Sequence, residues 1–475
     1  MSVPYWIEDA IFYQIFPDRF ANGDKTNDPW NVQPWGSPPT IYHFQGGDLR
    51  GIINRFDYLL DLGINAIYLN PIFQATSNHR YNTLDYFKID PKLGDMGDFK
   101  ALLNLAHRNG VRIILDGVFN HCGRGFFAFV DLLENQENSP YRNWFHPKRF
   151  PLDAYTPGEA KNYLAWWDIK SLPKFNTDEP AVRRFLLSVA RYWIEQGADG
   201  WRLDVPNEID DDSFWGEFRQ AVKSVNNDAY LVGEIWTADP RWVGDTHFDG
   251  LMNYPLRECL LNLLRYPLSS SGSSAAVEAG ACIEKVETLL SLYPRENVYS
   301  MYNPLGSHDT ERIMTMLDGN LDKVRLAFLI QFSFPGAPAI YYGDEIGMQG
   351  GKDPGCRGAF PWDETVWNND LREWVKMLIS IRKHSPALRR GNFKRVMVDE
   401  SSRCYAFARS LADEHIMVAL NASPSAQTLS LPVSAVKWEE GRVVRNLVGR
   451  DEYRVAGEKL AVRLPAWSGA WLVQP

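Results

Sequence analysis

Apolar, strand-like runs alternate with amphipathic helical patterns through about the first 388 residues of this chain. Residues 10–17, 64–71 and 111–121 are apolar runs that end in proline or polar side chains, which is typical of buried strands. Helical patterns such as residues 98–109 and 369–384 separate these runs. Eight strand–helix units of this kind predict an α/β fold of the (β/α)8, or TIM, barrel class, with parallel strands inside a ring of helices.

Two stretches depart from this alternation. After His121 the pattern is lost until about residue 177, and this aromatic-rich stretch is too long for a bare loop. From about residue 389 the strand–helix pattern gives way to short runs in which apolar and polar residues alternate, as in small antiparallel β-domains. The predicted domains are therefore a barrel (residues 1–121 and 177–388), an inserted subdomain after strand 3 (residues 122–176) and a C-terminal β-sandwich (residues 389–475). A serine-rich excursion at residues 269–274 is predicted to be mobile.

The composition excludes several classes of protein. A net charge of -9 argues against an electrostatic nucleic-acid surface, so no nucleic-acid partner is expected. No run of 18 apolar residues and no signal-peptide pattern is present, so we expect a cytoplasmic protein without a membrane partner. The five scattered cysteines indicate neither a disulfide framework nor a thiolate zinc site. The 17 tryptophans suit stacking on sugars or bases, although most are expected in the core.

Acidic residues stand where predicted barrel strands end. The four are Asp116, Asp204, Glu234 and Asp309. In a TIM barrel the chemistry lies at the carboxyl ends of the strands, so these carboxylates should face one mouth. Arg202 and Asp204 point to the same side of their strand, and this pair alone fits an internal salt bridge as well as a catalytic carboxylate. Four acids with His121 and His308 beside them favour glycoside hydrolysis, which uses paired carboxylates.

An N-terminal loop is dense in oxygen-bearing side chains. Residues 22–28 offer four carboxylates or amides, and residues 46–48 add a further aspartate. Hard cations such as calcium take six to eight oxygen ligands of this kind. The same residue types also build ordinary solvated turns, so the loop alone leaves both interpretations open.

Four segments together resemble the signature regions of the α-amylase family, glycoside hydrolase family 13, in order and spacing. They are residues 116–121 (DGVFNH), 200–208 (GWRLDVPNE), 234–236 (EIW) and 307–309 (SHD). The resemblance covers essentially the whole chain. A fifth segment, residues 172–176 (LPKFN), resembles the one that marks the neopullulanase, cyclomaltodextrinase and maltogenic amylase branch. This narrows the expected substrate to α-glucan oligosaccharides.

The resemblance implies a retaining hydrolase of α-1,4, and also α-1,6, glucosidic bonds in maltooligosaccharides, cyclodextrins or pullulan, with some transglycosylation. Asp204 would be the nucleophile, Glu234 the general acid and base, and Asp309 the residue that holds the distorted sugar. Because Glu234 must start protonated, we expect Arg202 to lie beside Asp204 and away from Glu234. The implied substrate-binding residues are His79, Tyr81, His121, Arg202, Asn207, Glu208, Trp236, His308, Asp353 and Arg357. For Trp236, Asp353 and Arg357, simple loop packing is an equally good interpretation.

The resemblance also bears on the N-terminal loop. A calcium site of this branch is matched, position by position, by Asn22, Asp24, Asn27, Asp28, the carbonyl of Gly46, and Asp48. This favours a calcium ion as a structural clamp on the loop and not as a catalyst.

Two departures from the family pattern leave the preferred substrate open. Most members of the branch carry an additional β-domain before the barrel, which helps to form a dimer, whereas the first strand here begins near residue 10. A homodimer would then be assembled differently. Pro206 stands where alanine is usual, and residues 357–361 differ from the usual loop, both on the acceptor side of the cleft.

Three alternatives remain beside the hydrolase prediction. A debranching enzyme that prefers α-1,6 links would use the same mechanism. An isomerase or glucosyltransferase of the family is disfavoured by the fifth segment. A non-catalytic relative is disfavoured because such proteins need a membrane span and typically lose catalytic carboxylates, all three of which are present here.

Overall fold

A barrel of eight parallel strands forms the centre of the molecule, as predicted. The computed structural model describes residues 3–265 and 279–475, and the serine-rich stretch at residues 269–274 lies outside them. The barrel strands are β1 (Phe12–Ile15), β2 (Ala66–Leu69), β3 (Arg112–Gly117), β4 (Gly200–Leu203), β5 (Tyr230–Gly233), β6 (Gly250–Leu251), β7 (Tyr302–Pro304) and β8 (Ala337–Tyr341). Their order is β6-β5-β4-β3-β2-β1-β8-β7. A parallel bridge between Met252 and Tyr302 closes the ring.

Helices cover the outside of the barrel. In chain order they are α1 (Pro17–Phe20), α2 (Leu49–Asn54), α3 (Phe56–Leu62), α4 (Met96–Arg108), α5 (Phe127–Asn135), α6 (Pro180–Glu195), α7 (Asp212–Val225), α8 (Tyr254–Leu264), α9 (Ala279–Leu292), α10 (Arg295–Val298), α11 (Ile313–Met316), α12 (Leu321–Ser333), α13 (Asn369–His384) and α14 (Pro386–Arg390). Side-chain caps fix several starts, for example Asp211, which accepts hydrogen bonds from the amides of Ser213 and Phe214.

The alternation along each strand separates two apolar layers. Tyr13 and Ile15 of β1 belong to the large core between the strands and the helices, whereas Phe12 belongs to a smaller core inside the barrel. Close contact between β4 and β5 requires glycine at residue 200, because a Cβ there would lie 2.1 Å from the carbonyl oxygen of Tyr230. This close packing of short strands brings the ends of β3, β4 and β5 together.

The stretch from residue 122 to residue 176 lies between β3 and α6 and contains α5. Phe129, Phe145 and Tyr163 pack edge to face within it. Isolated bridges tie it to the barrel, including one between His121 and Lys174. The fifth signature segment therefore lies directly beside the end of β3.

The C-terminal residues form antiparallel sheets, as predicted. Their strands are β9 (Asn392–Asp399), β10 (Cys404–Leu411), β11 (Glu414–Asn421), β12 (Gln427–Pro432), β13 (Val443–Asn446), β14 (Glu452–Arg454), β15 (Lys459–Leu464) and β16 (Ser468–Val473). Six strands form one sheet in the order β9-β10-β11-β16-β13-β14, and β12 pairs with β15 in a second. Both sheets contribute to one apolar core, which includes Met417 and Leu431. Within the described ranges, no helix has the length and apolarity that a membrane crossing requires.

Candidate active site

Three carboxylates meet around one arginine at the carboxyl ends of the strands, and a fourth lies in the loop after β7. Nη1 of Arg202 lies 2.8 Å from Oδ1 of Asp116 and 2.8 Å from Oδ1 of Asp204, and Nη2 lies 2.9 Å from Oε2 of Glu234. Arg202 is 1% exposed. Asp309 completes the set in the loop after β7. We refer to Asp116, Asp204, Glu234 and Asp309 as the carboxylate cluster.

The expectation that Arg202 lies away from Glu234 is wrong. The 2.9 Å contact shows that one guanidinium serves Asp204 and Glu234 at the same time. The contact of Nη2 with Glu234 is an ion pair without hydrogen-bond geometry, because Nη2 has no hydrogen-bond partner among the described residues, whereas Nη1 donates to Asp116 and Asp204. The backbone amide of Val205 also donates to Oε2 of Glu234, at 3.0 Å. Val205 has φ 36°, in the left-handed region that a β-branched residue rarely occupies.

A second arginine contacts the cluster from the loop after β8. Nη2 of Arg357 lies 3.2 Å from Oδ1 of Asp309, and its Nη1 lies 3.1 Å from Oδ1 of Asp353. Its Nε donates to the carbonyl oxygen of His308 at 2.8 Å. Arg357 therefore fixes the loop that carries Asp309, and Asp353 reaches the site only through Arg357.

Two carboxylates of the cluster, Asp204 and Asp309, have raised pKa values. Burial raises the pKa of Asp204 well above its usual value; Arg202 opposes this, and the carboxylates of Glu234 and Asp116 add to it. Burial and Glu234 raise the pKa of Asp309 to about 7, against the opposing charges of Arg357 and Arg202. A nearby like charge disfavours the ionised form of a carboxyl group. A pKa of about 7 lets Asp309 gain or lose a proton near neutral pH.

Tyr81 and His308 form one side of the site. Their rings stack with centroids 5.4 Å apart and planes 7° apart, and Nε2 of His308 lies 2.5 Å from the Tyr81 hydroxyl. The amide of Gln14 lies 2.9 Å from Nδ1 of His308. The Tyr81 hydroxyl donates to Oδ2 of Asp116 at 2.7 Å. Burial lowers the pKa of His308 well below its usual value, so the ring is neutral.

His79, which is half-buried, and His121, which is buried, are also neutral. Burial chiefly lowers the pKa of each to about 3, and for His79 the charges of Arg357, Arg80 and His121 lower it further. Nδ1 of His79 accepts a hydrogen bond from the amide of Tyr81 at 3.1 Å. Among the described residues, Nε2 of His121 has no hydrogen-bond partner.

Trp236, Asn207 and Glu208 lie at the rim. Trp236 is 48% exposed, stacks on Tyr254 with ring centroids 3.8 Å apart, and donates its indole N–H to Oε1 of Glu234 at 3.2 Å. Asn207 and Glu208 are exposed in the turn Pro206–Glu208. Lys174 donates to the carbonyl oxygen of Glu208, and its Nζ lies 3.8 Å from the Glu208 carboxylate.

Several contacts of the site were not predicted. They involve Gln14, Tyr68, Lys174 and Val205. Tyr68 donates to Oδ2 of Asp116 at 2.5 Å. Gln14 could have been noticed as the polar residue in an apolar strand, and Lys174 as the charged residue of the fifth segment. For the Val205 amide no sequence signal exists, because its role depends on the backbone.

The N-terminal loop brings the predicted calcium ligands near one another. Nδ2 of Asn22 donates to Oδ1 of Asp28 at 2.7 Å, and the amide of Asp24 donates to Oδ2 of Asp48 at 2.8 Å. A Cβ at Gly46 would lie 2.4 Å from Oδ1 of Asp28. In the described part of the chain, no three His, Cys, Asp or Glu side chains are gathered as metal ligands. Asp48 instead faces backbone amides, including that of Gly51 at 2.5 Å.

Known proteins match the chain over its length. The model of the α-amylase catalytic domain matches residues 14–392, and that of the maltogenic amylase C-terminal domain matches residues 393–471. A cyclomaltodextrinase from Geobacillus thermopakistaniensis is 44% identical over 98% of this chain and 77% of that protein.

Two solved structures match all of this chain and all of their own, each at 40% identity. They are a cyclic α-maltosyl-(1→6)-maltose hydrolase from Arthrobacter globiformis (TM-score 0.89) and a debranching enzyme from Nostoc punctiforme (TM-score 0.90). The chain therefore belongs to the α-amylase family of glycoside hydrolases.

Proposed function

We propose that this chain is a retaining hydrolase of α-1,4, and also α-1,6, glucosidic bonds in maltooligosaccharides, cyclodextrins or pullulan, with some transfer to sugar acceptors. The observation that carries the proposal is the shared guanidinium of Arg202, which contacts Asp204 and Glu234 through its two terminal nitrogens. Retaining enzymes need two carboxyl groups about 5–5.5 Å apart, closer than inverting enzymes do. The contacts of both carboxylates with one guanidinium, at 2.8 and 2.9 Å, support a close spacing of this kind.

Asp204 is proposed as the nucleophile and Glu234 as the general acid and base. An oxygen of Asp204 forms a bond to the anomeric carbon while Glu234 gives its proton to the glycosidic oxygen, which leaves with the bond electrons. Water then adds to the anomeric carbon, Glu234 takes its proton, and the bond to Asp204 breaks. Two inversions at one carbon retain the configuration.

Asp309 is proposed to hold the sugar as positive charge develops at the anomeric carbon. Arg357 and His308 contact its two carboxylate oxygens, at 3.2 and 3.1 Å, and so fix its orientation. His79, His121 and His308 are neutral rings, which suits hydrogen bonding to an uncharged polyol. The Tyr81 ring, held by three polar contacts, provides a flat face against which a glucose ring can pack.

Exchange of single carboxylates tests these roles. Asp204→Asn and Glu234→Gln keep the shape of the side chain and are each expected to abolish the release of reducing sugar from maltotriose. Asp210→Asn is the matched control, because Asp210 is exposed and pairs with Arg241 at the surface. Full activity in either of the first two variants would contradict the assignment.

A preference for α-1,6 links is the second candidate, and it is favoured by the likeness to a debranching enzyme and to a hydrolase of a cyclic sugar that contains a (1→6) link. The acceptor side carries Pro206, Asn207 and Glu208 with Lys174 beside them. Digestion of pullulan separates the candidates. Panose as product indicates α-1,4 cleavage, and maltotriose indicates α-1,6 cleavage.

A structural calcium ion is proposed for the loop of residues 22–48. The amide oxygens of Asn22 and Asn27 are buried and have no hydrogen-bond partner among the described residues, as expected of oxygens that face a cation. Asn22, Asp24, Asn27, Asp28, Gly46 and Asp48 would hold it. The ion would bind the carboxylates and amides of this loop, which otherwise contact one another, and would so hold the loop together. EDTA should then lower the midpoint of thermal unfolding, and added calcium, but not magnesium, should restore it. An unchanged midpoint contradicts the proposal.

A cytoplasmic location and a homodimer complete the proposal. A relative from Bacillus subtilis that is 39% identical is named an intracellular maltogenic amylase, which supports the location. Cell fractionation tests the location, and light scattering on the purified chain tests the dimer.

A further inference from the structure

Three aromatic rings form a continuous stack that begins in the candidate active site. The His121 ring packs on Trp166 with centroids 5.4 Å apart and planes 22° apart, and Trp166 packs on Trp167 at 4.5 Å and 9°. His121 follows the carboxyl end of β3, the strand that carries Asp116, which places the inner end of the stack at the mouth of the barrel. The outer end is the ring of Trp167, which is 75% exposed.

The backbone at the outer end of the stack is strained. Trp167 and Asp168 have φ values of 50° and 57°, so two successive residues with side chains occupy the left-handed region. Such conformations cost free energy and persist where the surrounding structure holds them, often at ligand-binding positions. The amide of Ala160 donates to the carbonyl oxygen of Asp168 at 2.7 Å and helps to fix the turn. The strained turn presents the indole ring to solvent.

Core packing does not account for this arrangement. Trp166 is packed between two rings, but most of the surface of Trp167 is in water, where a large apolar ring contributes little to stability. A turn without strain would place a small polar residue at this position. An exposed flat ring, aligned with the half-buried ring of Trp166 and the buried ring of His121, has instead the form of a binding platform. The apolar face of a glucose ring packs on such a surface.

We propose that Trp167 is an aromatic platform that binds a glucosyl residue of the substrate outside the carboxylate cluster, and so makes the enzyme favour longer α-glucans. This inference rests on the proposed α-glucan hydrolase function. Trp166 is a positioning residue, since it holds the Trp167 ring parallel to itself and in line with His121. The platform is reached only by substrates that extend well beyond the bond that is cleaved.

Chain-length dependence of the kinetics tests the platform. The variants are Trp167→Ala, Trp167→Phe and, as control, Tyr5→Ala, which removes a 64% exposed ring in front of β1 at the opposite end of the barrel. In Trp167→Ala, KM for maltohexaose should rise about tenfold, or about 1.4 kcal/mol of binding, with kcat unchanged and KM for maltotriose within twofold. A rise in KM with an unchanged kcat indicates the loss of an interaction that binds the substrate and the transition state equally. Trp167→Phe should keep most of the affinity for maltohexaose, and Tyr5→Ala all of it.

Two results would overturn the inference. An unchanged KM for maltohexaose in Trp167→Ala means that the ring binds no substrate, and an equal rise for both substrates means that the change acts through His121. Should Trp167→Ala fail to fold, Trp167→Gly provides the same test, because glycine adopts a φ of 50° without strain. Failure of the proposed function itself is distinguishable, since the unmodified chain would then hydrolyse neither maltotriose nor maltohexaose.

Discussion

Removal of the positive charge of Arg202 should shift the pH dependence of the enzyme upward. Its guanidinium contacts three carboxylates at 2.8–2.9 Å and opposes the burial that raises the pKa of Asp204. Asp204 must be ionised to attack. In Arg202→Met the pKa of Asp204 therefore rises further, and the acidic limb of kcat/KM moves to higher pH. Asp116→Asn removes a negative charge instead and should move the same limb to lower pH.

The size of the shift follows from the charges involved. Unit charges roughly 4 Å apart interact by about 4 kcal/mol at the effective dielectric of a protein site. One pKa unit corresponds to about 1.4 kcal/mol, so the loss of Arg202 should raise the pKa of Asp204 by up to about three units. At a pH just above the acidic limb of the unmodified enzyme, Arg202→Met should therefore lose about a hundredfold or more of its kcat/KM.

The assay is the pH profile of kcat/KM on maltotriose between about pH 4 and pH 9. Arg202→Lys is the matched control, because it keeps the charge and loses the planar fork; its acidic limb should stay within about one unit of the original. An acidic limb that does not move in Arg202→Met, or that moves upward in Asp116→Asn, refutes the electrostatic reasoning. Asp116→Asn provides the test should Arg202→Met fail to fold.

Three further predictions concern other residues. Arg357→Met removes a charge that opposes the burial of Asp309, so the pKa of Asp309 should rise above its value of about 7, which a titration of that carboxyl by NMR would show. Val205→Gly relieves the strain of φ 36° and leaves the amide contact to Glu234, so unfolding in urea should cost about 1 kcal/mol more, while a loss of stability would contradict the strain argument. Gly200→Ala places a Cβ 2.1 Å from the Tyr230 carbonyl oxygen and should destabilise the chain by more than about 3 kcal/mol, whereas Gly351→Ala, with open space around it, should change the stability by less than about 0.5 kcal/mol.

The barrel could be predicted because each of its strands carries a local signal. Apolar runs that end in polar residues predicted all eight strands, although β6 consists only of the two residues Gly250–Leu251. Asp204 and Glu234 could be placed at the mouth because they directly follow β4 and β5. The contact between Gln14 and His308 could not be predicted, because it joins residues 294 positions apart that become neighbours only when the ring closes. Whether Trp167 is buried or exposed depends on the φ angles of its turn, which tryptophan itself does not favour.

The incorrect expectation about Arg202 has a physical lesson for the whole site. If a carboxyl group that must hold a proton could not contact a cation, Arg202 would contact Asp204 and not Glu234. The structure instead places both on one guanidinium, with Asp116 as a third partner and Asp309 on Arg357. Where charges interact this strongly, protons belong to the group of carboxylates and not to one of them. Both limbs of the pH profile of kcat/KM should therefore move in Asp116→Asn, although Asp116 has no direct part in the proposed bond changes.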